Sequence, residues 1–453
     1  MTDPAGRFRT VADVPCDPTR ARVYEHGWQS WSPTGRYPAT ATSRRPAGAA
    51  AQAIAYRAGA PAPPTGFQGE GLVAVEPAPG EAVRLFAVTD AGGAIPSIRV
   101  RPGGTGLLVS SDGEIADTTV AAPLGAALAR WAEHLAPPDR PSGPLPSVWC
   151  SWYCYWEDVT EADIRRNLGD LDRLDLDVAV VQVDDGWSAG IGDWLDTNAK
   201  FGDLGALATR IRDTGRRAGI WVAPFLAGAR SRLAADHPDW LVPEADAGHN
   251  WDQDLFALDL TRPEVAEHLG TVFASLAAAG FDYFKLDFLY AGALPGPRHG
   301  GIDGLEAYRN GMRVIRAAVP AGATLIGSGA PMLPSIGLVD GMRVGPDVAR
   351  PALADAKSRI GTAIATGSAR SFQHGRWWIN DPDCLLLRPA MPQRDRWAGY
   401  VEASGGLKAC SDPLAELDDW GLRTARRLLR PATPGPVDLV GDGGLAGRGT
   451  AAP

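Results

Sequence analysis

The chain has 453 residues and 45% hydrophobic content, enough to fill the cores of two or three domains. Its formal charge of −9 argues against nucleic acid or an anionic membrane surface as the main partner. No early stretch joins a basic segment to an apolar run and none is long enough for a membrane span, so a cytoplasmic soluble protein is expected.

In chain order, residues 22–115 read as all-β. "AQAIAYRA", "GLVAVEPAPGEAVRLFAV" and "SIRVRPGGTGLLVSS" are short apolar runs broken by Pro and Gly, as in a sandwich. "PLGAALARWAEHL" (Pro123–Leu135) has amphipathic helical spacing, and the proline-dense "APPDRPSGPLP" after it marks a boundary. The expected domains are a shortened β-rich unit, 1–137, a second unit, 138–430, and a Gly/Pro/Ala-rich tail, 431–453, expected to be disordered.

Past the boundary, strand-like runs alternate with helical patterns, the signature of βα units around a parallel sheet. Eight such runs occur: "SVWCSWYCYW", "VAVVQVDDGW", "GIWVAPF", "FDYFKLDF", "TLIGSGAP", "GMRVGPD", "RWWINDPDCLLL" and "YVEASGGLKAC". A long loop is expected over Ala227–Leu260, then a helix from Pro263 to Ala279 that stops at Gly280. Eight strands over about 280 residues fit a (β/α)8 TIM barrel. A doubly wound sheet would call for a GxGxxG turn, which is missing. The five scattered cysteines suggest no disulfide framework. Cys150 and Cys154, read as one face of the first strand, suit small core residues better than zinc ligands.

In such barrels the chemistry gathers at the C-terminal ends of the strands. There the second run places Asp184, Asp185 and Trp187, the third Trp221, the fourth Lys285 and Asp287, the fifth Ser328, the sixth Arg343 and Asp347, and the seventh Asp381 and Asp383. Each Asp alone could be a helix start or a loop ion pair; convergence from several strands points to a site. Lys285 and Asp287 share one strand face, with Cα atoms ~6.5 Å apart along it. The ammonium is expected to keep Asp287 ionised, as a nucleophile needs. Gly345 and Pro346 lift Asp347 over the pocket, where the charge of Asp287 favours its protonated form. A helix N-cap is the bland alternative for Asp347, and a calcium-like oxygen site the one for Asp184 and Asp185.

Taken together, "HGWQSWSP", "WCSWY", "VDDGW", "GIWVAPF", "FKLDF", "MRVGPDV" and "WWINDPDCLLLR", in this order, resemble glycoside hydrolase family 36, the α-galactosidase and melibiase-type enzymes. The resemblance runs from about Gly27 to Cys410. It implies a β-sandwich before a (β/α)8 barrel and hydrolysis of terminal α-galactose with retention of anomeric configuration. Asp287 is then the nucleophile and Asp347 the general acid/base. Asp184 and Asp185 bind the hydroxyls at positions 4 and 6, with Trp187 beside them. Lys285 and Arg343 contact hydroxyls near the reacting carbon, and Trp221 lines the pocket. Trp31 reaches in from the sandwich. Ser328 aligns where many relatives place a Cys near the 2-hydroxyl. No metal or organic cofactor is implied; the partner is an α-galactoside oligosaccharide, and a homo-oligomer is open, since subunits in this family often complete each other's sites. The sandwich reads as beginning near Arg22 and the family's C-terminal β domain as missing. Alternatives are a galactosyl transferase of raffinose-synthase type, an α-N-acetylgalactosaminidase, and a non-catalytic galactoside-binding relative.

Overall fold

The computed structural model describes residues 6–43, 49–140, 143–350, 356–430 and 437–440. The predicted tail lies outside these except for 437–440, where Leu439 N donates to Ser371 Oγ at 3.0 Å. Among the described residues no helix is long and apolar enough to cross a membrane.

Among the described residues the N-terminal part holds two antiparallel sheets, one of four strands and one of five. The segment "LVAVE" (Leu72–Glu76) explains how they layer. Successive strand side chains point to opposite faces. Val73 and Val75 therefore enter a cluster with Val14, Phe67, Ile98, Val100 and Val109 of the other sheet, while Leu72 and Ala74 join the main core that continues into the barrel. The five-stranded sheet is thus a middle layer, apolar on both sides. The β-rich part begins earlier than the sequence suggested: Arg9–Pro15 is a strand paired antiparallel with Gly106–Ser111. Its register slips between Thr10 and Ala12, which breaks the alternation by which strands are recognised.

An eight-stranded, wholly parallel sheet follows, a TIM-like barrel. Its strands in order are Val148–Cys150, Val180–Val183, Arg217–Val222, Phe281–Leu286, Thr324–Gly327, Gly341–Arg343, Ile379–Asp381 and Ala409–Cys410. Seven of the eight expected runs contain one and the third overlaps its strand, which starts two residues earlier at Arg217; several strands are shorter than their apolar text. The first ends at Cys150, and Cys154 belongs to a short helix, Trp152–Tyr155, so the two thiols do not share a strand face. In the eighth, "YVEA" lies within a helix, Arg394–Ala403. The expected loop 227–260 is instead largely a three-stranded antiparallel sheet of Leu226–Gly228, Leu241–Asn250 and Gln253–Leu258.

Strands seven and eight meet where Leu407 N donates to Asn380 O at 2.8 Å. Gly406 permits that approach, because a Cβ there would lie 2.1 Å from Asn380 O. Gly406→Ala is expected to cost about 1–3 kcal/mol through the forced backbone shift. Gly399→Ala, with open space around its Cβ, serves as the control. Equal thermal midpoints for the two variants would show that the seam does not depend on this contact.

One crossover is unusual. Between Gly327 and Gly341 there is no α-helix, only a 3-10 turn at Leu333–Ser335. The N-terminal "HGWQSWSP" loop occupies the place beside it: Ser30 N donates to Ala330 O at 3.1 Å and Met332 N to Trp28 O at 2.9 Å. Fully buried Arg370 ties the same loop down, donating to the carbonyls of Gln29, Ser30, Ser32 and Val344.

Candidate active site

The cup at the C-terminal strand ends is built around Asp287. It follows strand four and keeps sheet register, its N–H donating to Val222 O at 2.9 Å. Phe288 then turns left-handed (φ 51°), and its N–H bonds Asp287 Oδ1 at 2.9 Å. Trp221 Nε1 donates to Oδ2 at 3.0 Å, and Ser328 bonds the same carboxylate. Burial pushes the Asp287 carboxyl above its ordinary range; Lys285, Trp221 and Ser328 pull it back, and the charge of Asp347 adds to the rise. Lys285 is the strongest of the groups that favour the ionised form, in the direction expected of it, but burial opposes it more strongly than Lys285 alone can offset.

Lys285 has a nearer carboxylate. Its Nζ donates to Asp184 Oδ2 at 3.1 Å, both side chains being buried. The same oxygen accepts from Gln182 Nε2 at 2.5 Å and from Cys150 Sγ at 3.2 Å. Cys150 is therefore not just an apolar filler. Asp185 turns the other way and accepts from Gly186 N and Trp251 Nε1, each at 2.7 Å. Burial raises the Asp185 carboxyl to about 7, with Asp184 and Glu157 adding to the rise and the Trp251 and Gly186 bonds opposing it.

On strand six, Arg343 Nη2 lies 2.7 Å from Asp347 Oδ1 and 2.7 Å from Asp383 Oδ2. Asp383 is 1% exposed and also accepts from Tyr153 Oη at 2.5 Å and Val348 N at 3.0 Å. Burial pushes its carboxyl up to about 6, while Arg343 draws it down. Asp347 differs in being open, with 38% of its side chain exposed. The residues after it, 348–350, are not helical, so it is not an N-cap.

Two of the expected aromatic residues sit differently from each other. Trp187 is fully buried, donates its indole N–H to Trp221 O at 2.9 Å and packs on Trp194. It does not line the cup; its place beside the substrate is corrected to a support behind Trp221. Trp31 does arrive from the N-terminal part, its ring edge-on to Phe288 at 5.0 Å and to Tyr290 at 6.3 Å. Gly329, at φ 55°, leaves the room, since a Cβ would lie 2.8 Å from Trp31 Cη2.

Trp251 was not expected at all. It lies in the segment read as a loop, and "HNWDQD" carries no strand alternation to betray the hairpin that presents it. Tyr153 and Asp383 also carry more of the site than their motifs indicated. Among the described residues no group of three His, Cys, Asp or Glu side chains is placed to hold a metal ion.

Comparison with known proteins points to one family. The melibiase family model covers residues 132–291. α-Galactosidase AgaA of Geobacillus stearothermophilus is 27% identical over 158 residues, 33% of this chain and 21% of that one. α-Galactosidase 2 of Pediococcus pentosaceus is 29% identical over 152 residues, 32% of this chain and 21% of that one. The matched stretch thus spans about a fifth of these curated relatives' length. The likeness to TtGalA, an α-galactosidase of Thermus thermophilus solved with p-nitrophenyl α-D-galactopyranoside, is far more extensive: TM-score 0.78 and 30% identity over 94% of this chain and 88% of that one. The AgaA crystal structure, at 14% identity and TM-score 0.61 over 92% of this chain and 61% of its own, shares the fold. The barrel, the carboxylates on its rim and the near full-length match identify the chain as a member of glycoside hydrolase family 36, the α-galactosidase or melibiase family.

Proposed function

We propose that the protein is a retaining exo-α-galactosidase in which Asp287 is the nucleophile and Asp347 the general acid/base. The observation that carries this reading is the contrast between the two acids. Asp287 is buried and held on both oxygens by Trp221 and the Phe288 N–H, as a group that must attack along one line should be. Asp347 keeps Oδ1 on Arg343 and an exposed side chain, as suits a group that exchanges protons with a leaving group and then with water. One guanidinium serves both Asp347 and Asp383, so its positive charge offsets the repulsion between the two carboxylates.

In the first displacement Asp287 attacks the anomeric carbon while Asp347 protonates the departing oxygen. In the second, Asp347 takes a proton from water, which releases the sugar from Asp287. Asp184 and Asp185, oriented by Lys285 and Trp251, accept from the 4- and 6-hydroxyls. Lys285 and Arg343 lie near hydroxyls at the reacting end, with Ser328 beside the 2-position. The two N-terminal sheets are read as a sandwich that contributes the Trp31 wall. All five cysteines are free, which suits a reducing compartment and supports assignment to the cytoplasm.

A panel of nitrophenyl α-glycosides tests the sugar: release from the α-galactoside and little from the α-N-acetylgalactosaminide is expected. Sucrose added as acceptor tests transfer, and trisaccharide in excess of free galactose would replace hydrolysis with a transferase. Asp347→Ala should lower kcat on raffinose by about 10²–10⁴-fold, the usual contribution of a general acid. The loss on a dinitrophenyl galactoside, whose leaving group needs no proton, should be much smaller. Equal losses on the two substrates would remove Asp347 from that role.

A further inference from the structure

The hairpin that carries Trp251 is built at some conformational expense. Strands Leu241–Asn250 and Gln253–Leu258 are joined by Trp251 and Asp252, both at φ 52°. Such a turn ordinarily selects Asn and Gly, and a bulky indole is disfavoured there. The turn is nevertheless pinned: Arg230 donates from its side chain to Trp251 O and from its N–H to Gln253 Oε1, and Ala229 N donates to Asp254 O. The fixed turn sends the indole to three places at once. Its N–H meets Asp185 Oδ2 at 2.7 Å. Its ring lies 4.9 Å from Phe288 and 6.2 Å from Trp221, the two residues that hold the Asp287 carboxylate from either side. Trp251 is only partly buried, and its contacts with Phe288, Trp221 and Asp185 put the ring at the edge of the cup.

We propose that Trp251 is a positioning residue for the sugar: its N–H aims the Asp185 carboxylate into the cup, and its ring sets the pocket wall between Asp185 and Asp287. This deepens the glycosidase reading and rests on it. A ring held between those two carboxylates limits the bulk of the substituent that points towards Asp185, so the hairpin governs which sugars enter. Asp185 also faces Asp184 on its own strand end and Glu157 after strand one, and Glu157 in turn faces Asp158, Lys200 and Asp252. Trp251 is thus a neutral donor in an acidic neighbourhood, and losing it leaves Asp185 among like charges.

Two variants separate the donor from the wall. Trp251→Phe keeps a ring and removes the N–H; Trp251→Ala removes both. Trp251→Phe is expected to raise KM for nitrophenyl α-galactoside, and the Kd of galactose by calorimetry, by about tenfold or more, the worth of a hydrogen bond to a charged group. Its kcat should stay within about threefold. The acid limb of its kcat/KM profile should move to higher pH, because a carboxylate stripped of a donor holds its proton more tightly. Trp251→Ala should in addition narrow the preference for galactoside over the arabinopyranoside that lacks the exocyclic carbon. An unmoved KM and acid limb in Trp251→Phe, or kcat falling together with the thermal midpoint, would overturn the proposal and leave Trp251 a hairpin-packing residue. If the panel selects another sugar, the galactosidase reading falls and the comparison is made with that sugar. If the wild type hydrolyses none, galactose calorimetry on the same variants still decides the role of Trp251.

Discussion

Asp287→Ala is expected to lower kcat on an aryl α-galactoside by about four orders of magnitude or more, the scale seen when a covalent nucleophile is removed. The substitution vacates a position lined by Trp221, Ser328 and the Phe288 N–H. Those donors remain and form a ready seat for a small anion. Azide should therefore restore part of the rate, and the product should be β-galactosyl azide, because azide enters from the face the carboxylate had occupied. Turnover at the wild-type rate in Asp287→Ala would end the assignment. So would an α-configured azide product, which would place the attacking group on the opposite face of the ring.

The second large effect concerns stability. Arg343→Met is expected to destabilise the fold by about 3–5 kcal/mol, because it strands a buried carboxylate without its counter-charge. Asp383 keeps its bonds from Tyr153 and Val348 but loses the only cation that bridges it to Asp347 among the described residues. Its carboxyl already stands near 6 in the folded protein against 3.8 ordinarily, and loss of Arg343 drives it higher. The folded state then holds a proton that the unfolded state releases, so stability falls as pH rises above about 4 and continues falling until the folded value is passed. Urea unfolding should show a larger penalty at pH 8 than at pH 5. Adding Asp383→Asn to the variant should recover part of the loss. A penalty independent of both pH and Asp383 would mean that the guanidinium acts by packing alone.

How much of this was legible in the sequence depended on whether the information was local. "FDYFKLDF" and "VDDGW" advertised themselves because charges inside apolar strands are costly and need a reason. Their motifs placed Asp184, Asp185, Lys285 and Asp287 at one rim, and the barrel topology brought them together. What the text could not supply was pairing across strands. Lys285 reads as the neighbour of Asp287 two residues away, whereas its ammonium reaches Asp184, 101 positions earlier. Adjacency misled again at Trp187: four residues of "DDGW" span a strand end and a turn, and nothing in their order tells which side the indole takes. The eighth strand has two residues, too few to show any period, so the helical "YVEA" beside it was absorbed into it. Trp251 escaped because its turn uses residues that ordinary turn chemistry would not select.

The absent fifth barrel helix has a consequence for how the two parts of the molecule live together. In most barrels an appended module can be trimmed or traded, since each stave brings its own cover. Here the "HGWQSWSP" loop and the sheet behind it provide the cover for stave five, while Trp31 from that loop borders the catalytic cup. Amputating the first 120 residues would thus bare the flank of the barrel and strip one side of the site together. Chimaeras between relatives are expected to fold only when the donor module and stave five are exchanged as a matched set, and melting should proceed as a single event with both parts lost together.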